Sequence, residues 1–94
     1  MIFMFHCKDK PGSADVRAAN RAAHLEHLEG FKDRIVAGGP LLNDEGTGMI
    51  GSLLLVECAD RADAEAFAAA DPYAKAGLFE SVEIRPWRRV FPKD

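Results

Sequence analysis

The chain has 94 residues, a formal net charge of −3 and a sequence pI near 5.6. This length provides one domain, over residues 1–94, and leaves none for a second. The acidic balance argues against binding of a nucleic-acid backbone, which requires a basic surface. One basic cluster is present, formed by Arg85, Arg88 and Arg89, and it is more typical of a solvated strand edge.

The two cysteines, Cys7 and Cys58, lie far apart in apolar strand patterns. Two thiols are too few for an iron–sulfur cluster that needs four, and no Cys-x-x-Cys spacing indicates zinc. Both are expected to be small buried hydrophobes in a reducing compartment. The apolar residues 1–5 are too short for a signal sequence, and no later run approaches a membrane span. We therefore expect a cytoplasmic protein without a membrane partner.

Hydrophobic periodicity and turn residues predict the elements of the first half of the chain. A strand covers residues 1–8, and a helix covers residues 15–29 and ends at Gly30 in a left-handed cap. A short second strand over residues 32–37 is followed by a loop from Gly38 to about Met49. Loops of this length are often functional or mobile.

The second half is predicted in the same way. A third strand covers residues 50–58, and Asp60 is expected to cap a second helix over residues 61–70. Asp71-Pro72-Tyr73 ends that helix, because the residue before a proline disfavours helical geometry. A short helical turn follows over residues 73–78. The last strand covers residues 80–90, and Pro86 within it indicates an edge or bulged strand.

The order β-α-β-β-α-β predicts a ferredoxin-like α+β sandwich built from two right-handed split β-α-β units. Strands one and three lie in the centre of such a sheet, and strands two and four lie at its edges. Two helices cover only one face, yet the central strands are apolar on both faces. We therefore expect a homodimer in which two open sheet faces pack together with two-fold symmetry.

The first helix carries charged groups beside its apolar side. At about 100° per residue the apolar positions form one stripe, made of Ala18, Ala22, Leu25 and Leu28. Arg17 and His24 fall at one edge of this stripe, and Arg21 falls within it. An arginine and a histidine bordering a core are expected to point into a cleft. In the alternative interpretation, Arg21 extends past the core to solvent and His24 is a hydrogen-bonded boundary residue.

Several segments resemble the YciI-like family, and together they cover nearly the whole chain in the right order. They are Arg21-Ala-Ala-His24-Leu25, Ala37-Gly38-Gly39-Pro40, Gly51-Ser52, Asp71-Pro72-Tyr73 with Ala76-Gly77, and Ile84-Arg85-Pro86-Trp87-Arg88-Arg89-Val90-Phe91. Each motif is weak alone, but the set is fairly specific. The resemblance implies a dimeric α+β barrel of ferredoxin-like protomers. The chain departs from the family at Ala22, where proline is frequent, and in a shorter glycine loop.

The resemblance also implies a site. The histidine and aspartate proposed in the family as an acid–base pair fall on His24 and Asp71. Four further residues lie in the matching segments and are expected to contact a small-molecule substrate: Arg21, Pro40, Ser52 and Tyr73. Arg21 adds a guanidinium, which binds anionic groups in a fork.

A histidine beside a carboxylate is a proton-transfer unit, because the carboxylate fixes the imidazole tautomer and stabilises its charged form. Such a pair suits proton abstraction, elimination, isomerisation or simple hydrolysis. The hypothesis is a small-molecule enzyme without a cofactor, in which His24 is the general acid/base and Asp71 orients it. Its alternative is a non-catalytic dimeric binding or accessory protein that uses the same cleft. A purely structural, multimerising role also remains open.

Two simpler interpretations apply to individual residues. Asp71 before a proline is typical of a helix end. His24 and His27 have the i,i+3 spacing of a metal-binding pair, but His27 is expected to face solvent and no third ligand is evident. We therefore expect no metal. Haem bound through a lone histidine has no support beyond the shape of the fold.

Overall fold

A computed structural model describes residues 1–93. Within these residues the elements are β1 (Ile2–Asp9), α1 (Ala14–Glu29), β2 (Ile35–Leu42), β3 (Met49–Glu57), α2 (Arg61–Ala70), α3 (Pro72–Lys75) and β4 (Phe79–Trp87). The strands form one antiparallel sheet in the order β2-β3-β1-β4. The predicted ferredoxin-like α+β fold is confirmed, with β1 and β3 in the centre and the Pro86 strand at an edge.

The core lies between this sheet and the helices. On their helix-facing side the central strands bury large apolar groups, among them Phe3, Phe5, Leu54 and Val56. The Phe67 ring of α2 packs on Phe5, with ring centroids 5.4 Å apart. Both cysteines are free and buried, as expected from their strand patterns.

The second strand differs from its prediction. It runs over Ile35–Leu42, so Gly38, Gly39 and Pro40 are paired strand residues and not the start of a loop. Proline is tolerated because β2 is an edge strand, where a missing donor can face solvent. At Gly38 a Cβ atom would lie 2.3 Å from Cδ2 of Leu54, so any other residue here would displace the Leu54 side chain.

The connection between β2 and β3 is therefore a short turn over residues 43–48. The Asn43 side chain closes it, because its Oδ1 accepts hydrogen bonds from the backbone N–H groups of Thr47 (3.0 Å) and Gly48 (3.2 Å). Gly46 supplies the positive φ of 75° that the turn needs. The predicted loop from Gly38 to about Met49 is wrong, because Gly38, Gly39 and Pro40 pair with β3.

Helix α1 turns a different side to the core than its apolar pattern predicts. Ala18, Ala22 and Leu25 of the predicted stripe are exposed, whereas Arg17 and His24 are buried. The apolar groups on this helix are small or few, so its inward side is set by polar groups that find partners inside. Arg21, expected within the buried stripe, is exposed.

Helix ends agree with the sequence at one site and differ at another. The second helix covers Arg61–Ala70 as predicted, and the Asp60 side chain accepts a hydrogen bond from the backbone N–H of Asp63. Gly30, however, has φ −65° and no left-handed cap. The chain continues there through successive tight turns, with the Phe31 N–H donating to the Leu28 carbonyl, so no reversal at Gly30 is needed.

The helices cover one face of the sheet, and no element of residues 1–93 packs on the other. That open face carries apolar side chains on its β2–β3 half, including Leu53, which is 40% exposed. Its β1–β4 half carries charges of both signs, such as the Arg85–Glu83 pair at 3.3 Å, and His6 lies 3.9 Å from Glu83. Within the described part of the chain, no helix has the length and apolar character to cross a membrane.

Candidate active site

A cavity of about 170 Å³ lies between α1, α3 and the β2–β3 side of the sheet. Its walls are mostly apolar, formed by Leu25, Leu28, Gly38, Gly39, Pro40, Met49 and Leu54. Its polar lining consists of Arg17, Arg21, His24, Ser52 and Tyr73. A cavity of ~150 Å³ holds a benzene molecule, so this one matches a single-ring compound.

The structure brings His24 and Asp71 together within one chain. Nδ1 of His24 lies 2.9 Å from Oδ1 and 3.1 Å from Oδ2 of Asp71, and both side chains are buried. An ionised carboxylate only accepts hydrogen bonds, so the ring carries its proton on Nδ1 and donates it to Asp71. In the neutral ring the lone pair then lies on Nε2, and His24 is one of the residues that line the cavity.

Asp71 has a second task in the backbone. Its Oδ1 accepts a hydrogen bond of 2.9 Å from the backbone N–H of Tyr73, and so caps α3 at the start of that helix. The aspartate therefore ends α2, caps α3 and binds the histidine at once. The Tyr73 N–H fixes the Asp71 carboxylate from within the same segment. The position of the carboxylate relative to His24 therefore does not depend on contacts with solvent.

Tyr73 holds the imidazole from the side. Its ring stacks on His24 with centroids 4.0 Å apart and an angle of 15° between planes. The guanidinium carbon of Arg17 lies 4.7 Å from the same ring centroid. Tyr73 is thus in contact with both Arg17 and His24. Its side chain is 1% exposed, and it reaches the cavity only as part of the wall.

Arg17 is the centre of a buried polar network. Its Nε donates to Oδ2 of Asp9 at 2.8 Å and its Nη2 lies 3.0 Å from Oδ1, which makes a two-point ion pair. Nη2 also lies 2.9 Å from the Gly51 carbonyl oxygen and 2.9 Å from Ser52 Oγ. The ion pair thus links the end of β1 to α1. The contacts of Arg17 with Gly51 and Ser52 link the same group to β3.

The buried groups have shifted titration behaviour. Burial alone would lower the pKa of Arg17, but its hydrogen bond to Asp9 and the Asp9 charge raise it. Burial raises the pKa of Tyr73, although Arg17 and Arg21 act in the opposite direction, so the phenol stays neutral. Burial, followed by the charges of Asp71 and Asp9, raises the pKa of Cys7 to about 12. This thiol is therefore no nucleophile at neutral pH.

The remaining predicted residues take different positions. Arg21 lies exposed at the cavity lining, and Pro40 forms part of the β2 wall. Ser52 is 3% exposed and faces the cavity from β3. His27 does not face solvent as predicted: its ring packs between Phe31 and Phe67, at centroid distances of 5.1 and 5.2 Å. His27 and His24 thus both lie on the side of α1 that faces the interior.

Residues 1–93 contain no group of three or more histidine, cysteine or acidic side chains arranged to hold a metal ion. The i,i+3 histidines do not converge on one point, since His24 turns Nδ1 to Asp71 and His27 packs among phenylalanines.

Sequence reasoning missed the Asp9–Arg17 pair. The helical pattern predicts only that Arg17 borders the apolar stripe, and it predicts no partner for this residue. The available signal was an acidic residue at the end of a buried strand followed, eight positions later, by an arginine on the inward side of the next helix. Two buried charges of opposite sign at such positions have a strong reason to meet.

Comparison with known proteins gives a family. The model of the YCII-related domain matches residues 1–88. Protein YciI of Escherichia coli O6:H1 is 36% identical over 98 residues, which cover 97% of this chain and 100% of that protein. An uncharacterized protein of Haemophilus influenzae is 30% identical, with the same coverage.

Solved structures resemble the fold. A 5-chloro-2-hydroxyhydroquinone dehydrochlorinase from Burkholderia phenoliruptrix, solved in complex with 2,5-dihydroxybenzoquinone, has a TM-score of 0.91 and 40% identity over 100% of both chains. An antibiotic biosynthesis monooxygenase has a TM-score of 0.54 and 14% identity, covering 96% of this chain and 99% of that one. The second likeness concerns the fold alone. By its domain match and its relatives, the chain belongs to the YciI-like family of YCII-related domains.

Proposed function

We propose that the chain is an enzyme acting on a small molecule by proton transfer, with His24 as general acid/base and Asp71 as its orienting partner. The observation that carries the proposal is the hydrogen bond from His24 Nδ1 to Asp71, beside a cavity that His24 also lines. It fixes which nitrogen holds the proton. A base must present a lone pair within reach of substrate, and Nε2 meets that requirement.

The pair serves both directions of proton transfer. As base, Nε2 takes a proton from the substrate, and the resulting imidazolium is stabilised by the Asp71 carboxylate. As acid, the same Nε2 returns a proton. The Tyr73 ring, stacked at 4.0 Å, prevents the imidazole from tilting away between the two steps.

The substrate class we infer is a hydroxylated single-ring compound. Two observations support it: the cavity volume of about 170 Å³ and the 40% identity to a dehydrochlorinase of a chlorinated hydroxyhydroquinone. In an elimination of this kind, His24 removes a proton from the ring compound. The electron pair of that bond forms a new π bond, and chloride leaves with the electrons of the carbon–chlorine bond.

The other lining residues have matching roles in this proposal. Arg21 offers a guanidinium at the exposed side of the cavity and binds an anionic oxygen of the substrate. Pro40 and the leucines contact the faces of the ring. Tyr73 contacts it only with its edge, since the residue is almost fully enclosed. Ser52 contributes a polar group from the sheet.

Chloride release from 5-chloro-2-hydroxyhydroquinone tests this function, compared among wild type, His24→Ala and His24→Gln. Loss of a general acid/base is expected to lower kcat about 10²–10⁴-fold. Glu26→Gln is the matched control, because Glu26 is exposed on the same helix as His24 and does not line the cavity. It should retain wild-type turnover.

Two results would contradict the proposal. Wild-type turnover by both His24 variants would remove the role of the pair. The second result is tight binding of 5-chloro-2-hydroxyhydroquinone without chloride release, with equal affinity in wild type and His24→Gln. It would favour a non-catalytic binding protein.

We also propose that the chain forms a homodimer through its open sheet face. Among the apolar side chains on that face, Leu53 is 40% exposed and Leu55 is half-buried within residues 1–93. Gly39 on the same face has no positive φ, and a Cβ there would meet nothing within 4 Å. No contact inside the chain thus requires this glycine, whereas close approach by a second sheet would.

The free, buried cysteines favour a cytoplasmic location.

A further inference from the structure

The Ser52 hydroxyl has a proton for which the described residues, 1–93, provide no acceptor. Its Oγ lies 2.9 Å from Nη2 of Arg17. Guanidinium groups only donate hydrogen bonds, so Oγ must be the acceptor in this contact. The O–H of Ser52 is therefore left to donate, and no acceptor for it is found among residues 1–93.

Arg17 does not depend on Ser52 for its own position. The two-point ion pair with Asp9 and the contact with the Gly51 carbonyl hold the guanidinium from two other sides. The Tyr73 ring covers one of its faces. The orientation of Ser52 thus depends on Arg17. The fixed guanidinium holds the serine oxygen and polarises its O–H bond.

Ser52 and the proposed base line the same cavity from different elements. Ser52 is on β3 of the sheet and His24 is on α1, and both line the same space of about 170 Å³. Leu54 and Leu28 also line this space, so the surroundings of the hydroxyl are largely apolar. An unpaired hydrogen-bond donor in an apolar cavity costs free energy. An acceptor oxygen on a ligand would pair with it and remove that cost.

We propose that Ser52, oriented by Arg17, forms an oxyanion site for a ring carbonyl or enolate oxygen of the ligand. This inference rests on the proposed function, because the charge on that oxygen grows as His24 removes a proton. A donor placed in advance where negative charge develops stabilises the transition state more than the ground state. Ser52 is the contacting residue, and Arg17 and Asp9 are positioning residues.

The site selects a class of ligand. A ring with an oxygen that can hold negative charge, such as a phenolate, a hydroxyquinone or an enolised ketone, meets the donor. A ring of the same size without such an oxygen leaves the hydroxyl unpaired. A neutral hydrocarbon ring is therefore bound more weakly than a phenolate of equal volume.

The test uses 4-nitrophenol, a single-ring phenol whose phenolate absorbs visible light, so that binding is measured without turnover. Near the titration point of the free dye, wild type is expected to bind it mainly as phenolate. Ser52→Ala should weaken phenolate binding about tenfold or more and shift the bound dye towards its neutral form. Ser52→Cys, which keeps the shape but is a weak donor, should fall between them.

Ser81→Ala is the matched control, because this serine is exposed on β4 and away from the cavity. Thermal unfolding of each variant establishes that it is folded. Equal phenolate binding by Ser52→Ala and Ser81→Ala would overturn the inference, as would a wild type that binds neutral phenol in preference to phenolate. Because no reaction is involved, this result is independent of whether His24 supports turnover.

Discussion

Nδ1 of His24 and Oδ1 of Asp71 lie 2.9 Å apart although the residues are separated by 47 positions in the chain. The same Oδ1 caps α3 by accepting the Tyr73 backbone N–H. One carboxylate oxygen thus joins the middle of α1 to the junction of α2 and α3. The catalytic hypothesis and the helix-end interpretation of Asp71 describe the same geometry and do not compete.

Replacing Asp71 with asparagine separates the two tasks of this side chain. Asparagine is a good N-cap, so α3 and the fold should be retained. A neutral amide cannot stabilise the imidazolium, so kcat should fall about 10²–10⁴-fold. Nitrogen-15 spectra of the imidazole should show a changed tautomer population.

Asp60→Asn is the control for that experiment. Asp60 caps α2 through the N–H of Asp63 and has no part in the cavity. It should leave both turnover and the His24 spectrum unchanged. If Asp71→Asn behaved in the same way, the orienting role of the carboxylate would be excluded.

The buried Asp9–Arg17 pair is expected to be essential for stability. Asp9→Asn removes one partner and leaves the Arg17 charge in a buried site, which costs about 3–5 kcal/mol of unfolding free energy. Urea unfolding measures this loss. Glu29→Gln breaks an exposed pair with Lys32 and should cost no more than about 0.5 kcal/mol. Similar losses in both variants would show that burial of the Asp9–Arg17 pair does not matter.

Stability should fall in alkaline solution because of Cys7. Its thiol has a pKa of about 12 in the folded chain, against an ordinary value of 9.0. Between these pH values the unfolded chain releases a proton that the folded chain keeps, so the free energy of unfolding decreases as pH rises. The decrease approaches about 1.4 kcal/mol per pH unit for this one group.

Equilibrium unfolding at several pH values between 8 and 11 measures that slope. Cys7→Ala should have a smaller slope, whatever its stability at neutral pH. The raised pKa values of Tyr73 and Cys58 act in the same direction and remain in the variant. An unchanged slope in Cys7→Ala would mean that Cys7 does not contribute.

The open sheet face provides the last prediction. Leu53→Glu places a charge in the centre of the proposed dimer interface, where it would be buried without a partner. Sedimentation should then give the mass of a monomer, about half that of wild type. Ala23→Glu adds the same charge to the exposed surface of α1, on the other side of the sheet, and should leave the dimer intact. A dimer that persists in Leu53→Glu would place the interface elsewhere.

Much of the fold follows from local patterns. The Arg61–Ala70 helix, the cap at Asp60, the edge position of the Pro86 strand and the buried cysteines were all predictable. Each depends on periodicity, on a capping side chain or on the missing donor of proline, which act within a few residues. The pairing of His24 with Asp71 was implied by family resemblance, and their catalytic role stays a prediction.

The tertiary structure decided the rest. The inward side of α1 is set by Arg17 meeting Asp9 and by His24 meeting Asp71, and not by its apolar stripe. Gly38 is a strand residue because β2 pairs with β3 there, with Gly38 opposite Leu54. Local sequence patterns do not predict such contacts. Buried polar groups are stabilised by partners that only the folded chain brings within hydrogen-bond distance.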